Sequence, residues 1–217
     1  MSLPLRPITL TAHDALLVID MQNDFASPTG ALSVRGGEEI VLGINTLAAR
    51  FPHVILTQDW HPAAHISFAS THNLKPFADT IRAPYGTQTL WPDHCLQGSS
   101  GAALHPALNI PHTELILRKG FRKDIDSYSA FTENDRTTPT GLTGYLRERG
   151  LTRLFFTGLA YDFCVGYSAI DAVQHGFTAI VLEDLTRAVA LPTTVETTNN
   201  RFADLNIQRI RTSELTL

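Results

Sequence analysis

The sequence predicts an α/β fold: a doubly wound, mostly parallel sheet of five or six strands with helices on both faces. Short apolar runs rich in branched residues recur along the chain, and segments with helical periodicity separate the later runs. This alternation is typical of parallel strands with covering helices. The length of 217 residues and the hydrophobic content of 43% suit one domain spanning residues 1–217.

Each predicted strand is a short apolar run, and most of them end in a charged residue or a glycine. The runs are ALLVID (15–20), HVILTQD (53–59), ELILRK (114–119), RLFFTG (153–158), TAIVLED (178–184) and, as a sixth strand, IQRIR (207–211). Their spacing leaves room for the crossover helices that parallel strands require.

Two segments between the later runs fit amphipathic helices. These are TGLTGYLRERG (140–150) and the stretch 163–175, which ends before Gly176 as helices often do. Residues 60–112 contain many His, Pro, Gly and Ser residues but no sustained periodicity. Because so long a stretch without regular elements is usually functional, we expect part of a binding site there.

Charge and cysteine content exclude several classes of protein. The net charge of −4 leaves no basic excess for nucleic acid or an anionic membrane. The N-terminal segment MSLPLRPITLTAHD has no continuous apolar stretch of a signal peptide, which predicts a cytoplasmic protein. Two cysteines, Cys95 and Cys164, make no disulfide framework. A homo-oligomer is compatible with the sequence, which does not fix the oligomeric state.

Polar side chains end four of the predicted strands. Asp20, Asp59 and Lys119 close the first three runs, and the fourth leads through Gly158 to Cys164. Ligands of open parallel sheets bind outside the carboxyl ends of the strands, where these side chains would converge. We therefore expect a carboxylate, a lysine and a cysteine to share one crevice.

Cys164 is the candidate nucleophile of this crevice. It follows a strand and opens a helix, where unpaired amides favour a thiolate and can form an oxyanion hole. Asp20 could accept the thiol proton while Lys119 keeps that carboxylate ionised. The alternatives are a small buried cysteine, a loop-capping aspartate and a solvated lysine.

A second constellation predicts a metal site. Asp59 and His61 are two residues apart, so in extended backbone their side chains point to the same side, and His65 follows within reach. His72 and His94 are both candidates for a further ligand. This donor set suits Zn²⁺, with Fe²⁺ or Mn²⁺ as alternatives. Scattered surface histidines are the competing interpretation.

Five ordered segments resemble those of nicotinamidases, within the isochorismatase-like cysteine hydrolase family. The resemblance covers about residues 15–185 and implies Asp20, Lys119 and Cys164 as catalytic triad. It also implies metal ligation by Asp59, His61, His65 and His94, which favours His94 over His72. The segments are ALLVIDMQNDF (15–25), TQDWHPAAHISF (57–68), WPDHC (91–95), RKGFRKDIDSYSAF (118–131) and GLAYDFCV (158–165).

The same resemblance implies the remaining features of the site. A cis peptide would join Leu159 to Ala160, and the amides of Ala160 and Cys164 would form the oxyanion hole. Phe25 and Trp91 would sandwich the substrate ring, with Leu159 and Tyr128 in the same pocket, although core packing would also explain these side chains. Tyr161 departs from the smaller residue found in many relatives, which leaves the local packing open.

The implied activity is that of a metal-dependent amidase that converts nicotinamide to nicotinate and ammonia through a thioester on Cys164. Pyrazinamide is a further candidate substrate. A related amidase for carbamoyl or other small amides would use the same nucleophile without the metal ligands. Vinyl ether hydrolysis needs no cysteine at residue 164, so the thiol argues against it. A non-catalytic metal-binding protein is the alternative from another class.

Overall fold

The computed structural model describes residues 8–216, in which a six-stranded parallel sheet forms the centre. The strands are β1 (Ile8–Thr9), β2 (Asp14–Ile19), β3 (His53–Asp59), β4 (Thr80–Ala83), β5 (Gly86–Thr89), β6 (Leu115–Lys119), β7 (Arg153–Leu159), β8 (Thr178–Arg187), β9 (Gln208–Ile210) and β10 (Leu215–Thr216). The α-helices are α1 (Asn23–Ala26), α2 (Val41–Ala48), α3 (Ala69–His72), α4 (Leu142–Glu148), α5 (Gly166–Gln174) and α6 (Thr194–Asp204).

The central sheet has the order β6-β3-β2-β7-β8-β9, and all its neighbouring strands are parallel. The order runs outward in both directions from β2 and β7, which is the doubly wound arrangement predicted from the sequence. The sixth strand is present as β9. Two small sheets accompany it: the parallel pair β1–β10 and the antiparallel hairpin β4–β5.

Alternate residues of the central strands face two separate hydrophobic clusters. In β2, Leu16 and Val18 belong to one cluster, and Leu17 and Ile19 belong to the other. Helix α2 packs into the first cluster, whereas α4, α5 and α6 contribute to the second. Both faces of the sheet are therefore covered, and each fully buried Leu or Ile stabilises the fold by roughly 1.5–3 kcal/mol.

Several elements differ from the sequence-based expectation. Residues 60–112 contain helix α3 and the β4–β5 hairpin, although most of this region is irregular. Helices α2 and α6 were not predicted. Residues 1–7, half of the segment interpreted as lacking a signal peptide, lie outside the described part of the chain. Within residues 8–216, no helix is long and apolar enough to cross a bilayer.

Gly158 allows β2 and β7 to approach each other closely beside the carboxyl ends of both strands. Its φ is +101°, and a Cβ added there would lie 2.1 Å from the carbonyl oxygen of Ile19. The register of β7 against β8 also shifts between Phe156 and Gly158. Only glycine fits this backbone position, which leads directly into the segment that carries Cys164.

Replacing Gly158 by alanine should therefore lower the free energy of unfolding by about 2–3 kcal/mol, because the methyl group meets backbone and the left-handed conformation is strained. Urea unfolding followed by circular dichroism measures the change. Gly144→Ala is the matched control, since it lies in α4 with nothing within 4 Å of the added Cβ. The control should be neutral or stabilising by about 0.5–1 kcal/mol; equal effects would contradict the steric argument.

Candidate functional site

Four strands of the central sheet end at one cluster of buried polar side chains. Lys119 ends β6 and is fully buried, with its Nζ 2.9 Å from Asp20 Oδ2 and 2.5 Å from Asp59 Oδ1. The same Nζ lies 3.4 Å from the sulfur of Cys164. The sulfur and one carboxylate oxygen each of Asp20 and Asp59 lie within 4.8 Å of one another. The structure thus brings together the predicted acid, lysine and cysteine.

The ammonium of Lys119 controls the charges of this cluster. Burial alone would lower its pKa, but Asp20 and Asp59 raise that pKa well above its usual range. Burial likewise favours a neutral Asp59, yet the coulombic pull of Lys119 and His61 lowers its pKa below the usual value. Lys119 is therefore a permanent cation and Asp59 a permanent anion at neutral pH.

Asp20 is suited to accept a proton. It follows β2 with φ of +46°, a left-handed conformation that aspartate tolerates better than most residues. Its Oδ1 accepts a hydrogen bond of 2.5 Å from Thr57, whereas Oδ2 contacts Lys119 without an aligned hydrogen bond and keeps its lone pairs. Burial raises the pKa of Asp20, against the opposing effect of Lys119. A raised pKa makes this carboxylate a stronger base.

Cys164 lies in a kinked turn over Tyr161–Val165, between β7 and α5, in which Phe163 has non-helical backbone angles. Burial raises the pKa of the thiol well above its usual value, although Lys119 opposes this effect. Burial therefore favours the thiol, whereas the start of a helix alone favours the thiolate. Its proton needs an acceptor before attack, and Asp20 Oδ2, which accepts no hydrogen bond, is a nearby candidate.

The predicted oxyanion-hole residues both lie at this turn. The Leu159–Ala160 peptide bond is cis, as the sequence resemblance implied. The carbonyl oxygen of Ala160, just before the turn, accepts hydrogen bonds from the backbone N–H groups of Phe163 and Val165 at 3.0 and 3.1 Å. These two bonds close the turn. Ala160 and Cys164 both line the pocket described below.

Asp162 fixes the turn to the segment that follows β8. Its two carboxylate oxygens accept the amides of Val189 and Ala190, each at 2.9 Å, and the hydroxyl of Thr194 at 2.6 Å. Val189 lines the pocket together with Cys164. Asp162 thus holds one wall of the pocket in place although it does not line that pocket itself.

Three of the predicted metal ligands face one point. Nε2 of His61 and Nε2 of His94 lie 3.6 and 3.9 Å from Asp59 Oδ2. Two ligands of one zinc ion, each about 2.1 Å from it, stand roughly 3–4 Å apart, so these donors fit a shared divalent ion. Nδ1 of each histidine donates to a backbone carbonyl, of Gly120 at 2.8 Å and of Pro92 at 2.7 Å. The Nε2 lone pairs are therefore free to bind metal.

His65 is arranged differently from these three ligands. Its Nε2 donates to the carbonyl of Ile125 at 3.3 Å, and its Nδ1 accepts the hydroxyl of Ser67 at 2.7 Å. Its donor atoms group with His61 and Asp126 rather than with Asp59. Stacking on His61, with ring centroids 4.2 Å apart, keeps His65 beside the site. Its role as a ligand stays a prediction.

His72, the rejected alternative to His94, lies outside these groups. It ends α3, and its Nε2 contacts the carbonyl oxygen of Ile66 at 2.8 Å. Its position agrees with the choice of His94.

Neighbouring residues hold the metal ligands in position. The side-chain amide of Gln22 binds both the N–H and the carbonyl of Asp59, each at 2.8 Å. Asp24 accepts the amide of Cys95 at 2.7 Å, directly after His94. Gly120 has φ of +64°, and an added Cβ would lie 2.4 Å from the His61 ring. These contacts restrict the ligands to one geometry.

A pocket that is partly open to solvent lies beside Cys164 and is lined by two of the metal-ligand candidates, Asp59 and His94. Phe25, Trp91, Tyr128 and Leu159, predicted to bind substrate, all line it. Nε1 of Trp91 donates to the Tyr128 hydroxyl at 3.1 Å, which fixes the indole. The wall is mostly apolar, with Asp59, His94, Asp126 and Cys164 as its polar or reactive members.

Sequence reasoning missed several lining residues. Phe163 packs edge-on against Trp91, with ring centroids 4.9 Å apart, and Leu32 and Val34 close another side. Asp126 lay inside one of the family-like segments, but nothing in the sequence separated it from Asp124. Tyr161 contacts Asn199 and Phe202 outside this pocket, so its departure from a smaller residue affects packing there.

A family profile described as the isochorismatase domain matches residues 14–213. The chain is 48% identical over 196 residues to a nicotinamidase of Acinetobacter baylyi, covering 90% of this chain and 91% of that protein. It is 42% identical to a nicotinamidase of Escherichia coli, over 81% and 83% of the two chains.

Solved structures give the same relationship. A nicotinamidase and pyrazinamidase of Acinetobacter baumannii superposes with a TM-score of 0.92 at 48% identity, over 95% of this chain and 99% of that one. PnC1 from L. infantum in complex with nicotinate gives 0.85 at 38%, over 97% and 98%. A pyrazinamidase of Pyrococcus horikoshii in complex with zinc gives 0.74 at 30%, over 92% and 99%. The chain therefore belongs to the isochorismatase family.

Proposed function

We propose that the protein is a nicotinamidase: it hydrolyses nicotinamide to nicotinate and ammonia through a thioester on Cys164. The observation that carries this proposal is the contact of Lys119 with Asp20, Asp59 and Cys164 beside the donors of His61 and His94. The two Acinetobacter relatives described above carry the same activity in their names.

In the first step, Asp20 removes the proton of Cys164 as the sulfur attacks the carboxamide carbon. The lone pairs on Asp20 Oδ2 and its raised pKa suit this transfer. Lys119, 3.4 Å from the sulfur, stabilises the developing thiolate. The amides of Ala160 and Cys164 receive the negative charge that forms on the carbonyl oxygen.

In the second step, Asp20 returns its proton to the departing amine, which leaves as ammonia. The acyl group is now bound to Cys164 as a thioester. Water attacks this thioester with Asp20 again as the base, which releases the carboxylate and restores the thiol. Lys119 keeps its proton throughout, because two carboxylates hold its pKa far above neutrality.

Asp59, His61 and His94 would hold a divalent ion, and His65 is proposed as a further ligand. When bound, this ion supplies an orienting contact for the ring nitrogen of the substrate. Zn²⁺ suits the one-carboxylate, two-imidazole donor set, and Fe²⁺ or Mn²⁺ are the alternatives. The zinc complex of the Pyrococcus relative supports a metal of this class.

The pocket favours a flat heteroaromatic amide. Phe25 and Trp91 line the pocket together with Cys164 and two of the proposed metal ligands, Asp59 and His94. Pyrazinamide has the same shape and a nitrogen at the same ring position, so we propose it as a second substrate. A carbamoyl amidase would not need the three metal donors. A cytoplasmic location and a homo-oligomeric state stay predictions.

Cys164→Ala should abolish ammonia release from nicotinamide, because the proposed acyl intermediate forms on its sulfur. The metal content should stay at the wild-type level, since the ligands are unchanged. Cys95→Ala is the matched control: this second buried cysteine should be dispensable for turnover. Substantial activity of the Cys164 variant in a coupled ammonia assay would remove the proposed nucleophile.

Asp20→Asn should lower kcat by about 10²–10⁴-fold, because the amide cannot accept the thiol proton. Asp184→Asn serves as control, since that carboxylate also accepts backbone and hydroxyl hydrogen bonds, from Thr212, but does not line the pocket. Steady-state ammonia release measures both variants. A near-wild-type rate for Asp20→Asn would reassign this residue to a structural role.

Removing metal with a chelator should raise KM and lower kcat together, because the proposed ion positions the substrate ring. Added Zn²⁺, Fe²⁺ or Mn²⁺ should restore both constants and identify the preferred metal. His94→Ala should imitate the chelated enzyme, whereas His72→Ala should not, since His72 lies outside the donor groups. Full activity of verified metal-free protein would contradict the proposed role of the ion.

A further inference from the structure

Asp126 is a buried carboxylate that the mechanism above does not use. It lies in the irregular segment after β6, is only 2% exposed and lines the pocket together with Asp59 and His94. One of its carboxylate oxygens falls within 4.8 Å of the donor atoms of His61 and His65. Asp126 therefore stands at the metal side of the pocket.

The buried acids of the described residues show how unusual this carboxylate is. Six others are equally buried, and five of them lie within 4.0 Å of a lysine or arginine nitrogen. The sixth, Asp162, accepts three hydrogen bonds. The five ion pairs join Asp14 to Arg153, Asp20 and Asp59 to Lys119, Glu133 to Arg122, and Asp171 to Arg136.

Asp126 has no such cation among residues 8–216. Its Oδ1 accepts the amide of Ser127 and its Oδ2 the side-chain amide of Gln88, both at 2.8 Å. An ionised carboxylate offers about four acceptor positions, so two donors leave lone pairs on both oxygens. A buried charge without a counterion is costly, and a nearby cation would remove that cost.

The donor groups identify the cation that would complete this site. His61 belongs both to the group with Asp59 and His94 and to the group with His65 and Asp126. Carboxylate oxygens and imidazole nitrogens are ligands of divalent cations such as Zn²⁺. An ion held by His61, Asp59 and His94 would therefore lie near the carboxylate of Asp126.

We propose that Asp126 is a further acidic member of the metal centre. Its carboxylate would contact the divalent cation on the side of His65, directly or through one metal-bound water, and would thereby strengthen the binding of that cation. This inference rests on the proposed function, because it concerns the same metal site. The hydrogen bonds that Gln88 and Ser127 donate to Asp126 would orient its carboxylate, as hydrogen bonds from neighbouring residues commonly orient metal ligands. Asp126 is thus a positioning residue for the ion rather than a catalytic one.

Zinc affinity of metal-free protein tests the proposal without any activity assay. Competition with a chromogenic chelator should give a Kd for Asp126→Asn about 10–100-fold above that of the wild type. Asp124→Asn is the matched control, because it removes the same charge two residues away at an exposed position and should leave the Kd unchanged. Asp126→Glu, which keeps the charge, should recover part of the affinity.

The outcomes separate this inference from the proposed function. Wild-type protein that binds no divalent cation would overturn both. Tight wild-type binding with an unchanged Kd for Asp126→Asn would overturn the role of Asp126 alone.

Should the Asn variant fail to fold, a zinc-soaked crystal of the wild type decides through its anomalous signal. We expect a carboxylate oxygen of Asp126 on the ion or joined to it by one water. A longer separation would refute the proposal.

Discussion

The site depends on one buried cation, Lys119, held between two carboxylates and a thiol. An ammonium with no exposed surface is tolerated only when opposite charges surround it, and Asp20 and Asp59 supply them. The three strand ends must therefore stay in register, since a shift of one residue along β6 would turn Lys119 to the other face of the sheet. The register of the sheet therefore also fixes the geometry of the candidate site.

The same cation gives the two carboxylates different properties. Asp59 contacts Lys119 through a hydrogen bond of 2.5 Å and is also attracted to His61, so it stays ionised as a metal ligand should. For Asp20, burial outweighs the attraction of Lys119, and the nearby charge of Asp59 raises its pKa further. Two residues of one type, about equally near one lysine, are thus suited by their surroundings to the separate roles proposed for them, as ligand and as base.

Sequence reasoning located the site because strand ends are visible in a sequence. Asp20, Asp59 and Lys119 each stand where an apolar run stops, and parallel topology brings such positions together. Residues on irregular segments carry no comparable signal. Asp126 and Val189 lie on irregular segments that long-range hydrogen bonds hold at the pocket. Gln88 donates one to the carboxylate of Asp126, and the backbone N–H of Val189 donates one to Asp162. The protonation of Cys164 also depends on burial, which its position at a helix start does not reveal.

A thiol that is neutral before substrate binds changes the role that Lys119 has in the proposed triad. A permanent thiolate beside Lys119 would add negative charge to a cluster that already holds Asp20 and Asp59, and burial would make that charge expensive. Keeping the proton on sulfur until substrate arrives avoids this cost. Transfer to Asp20 then moves a proton between neighbours without changing the net charge of the cluster, so Lys119 stabilises the anion on either atom. The buried lysine therefore lowers the cost of the proposed transfer, which accounts for a lysine that keeps its proton between the proposed base, Asp20, and the proposed nucleophile, Cys164.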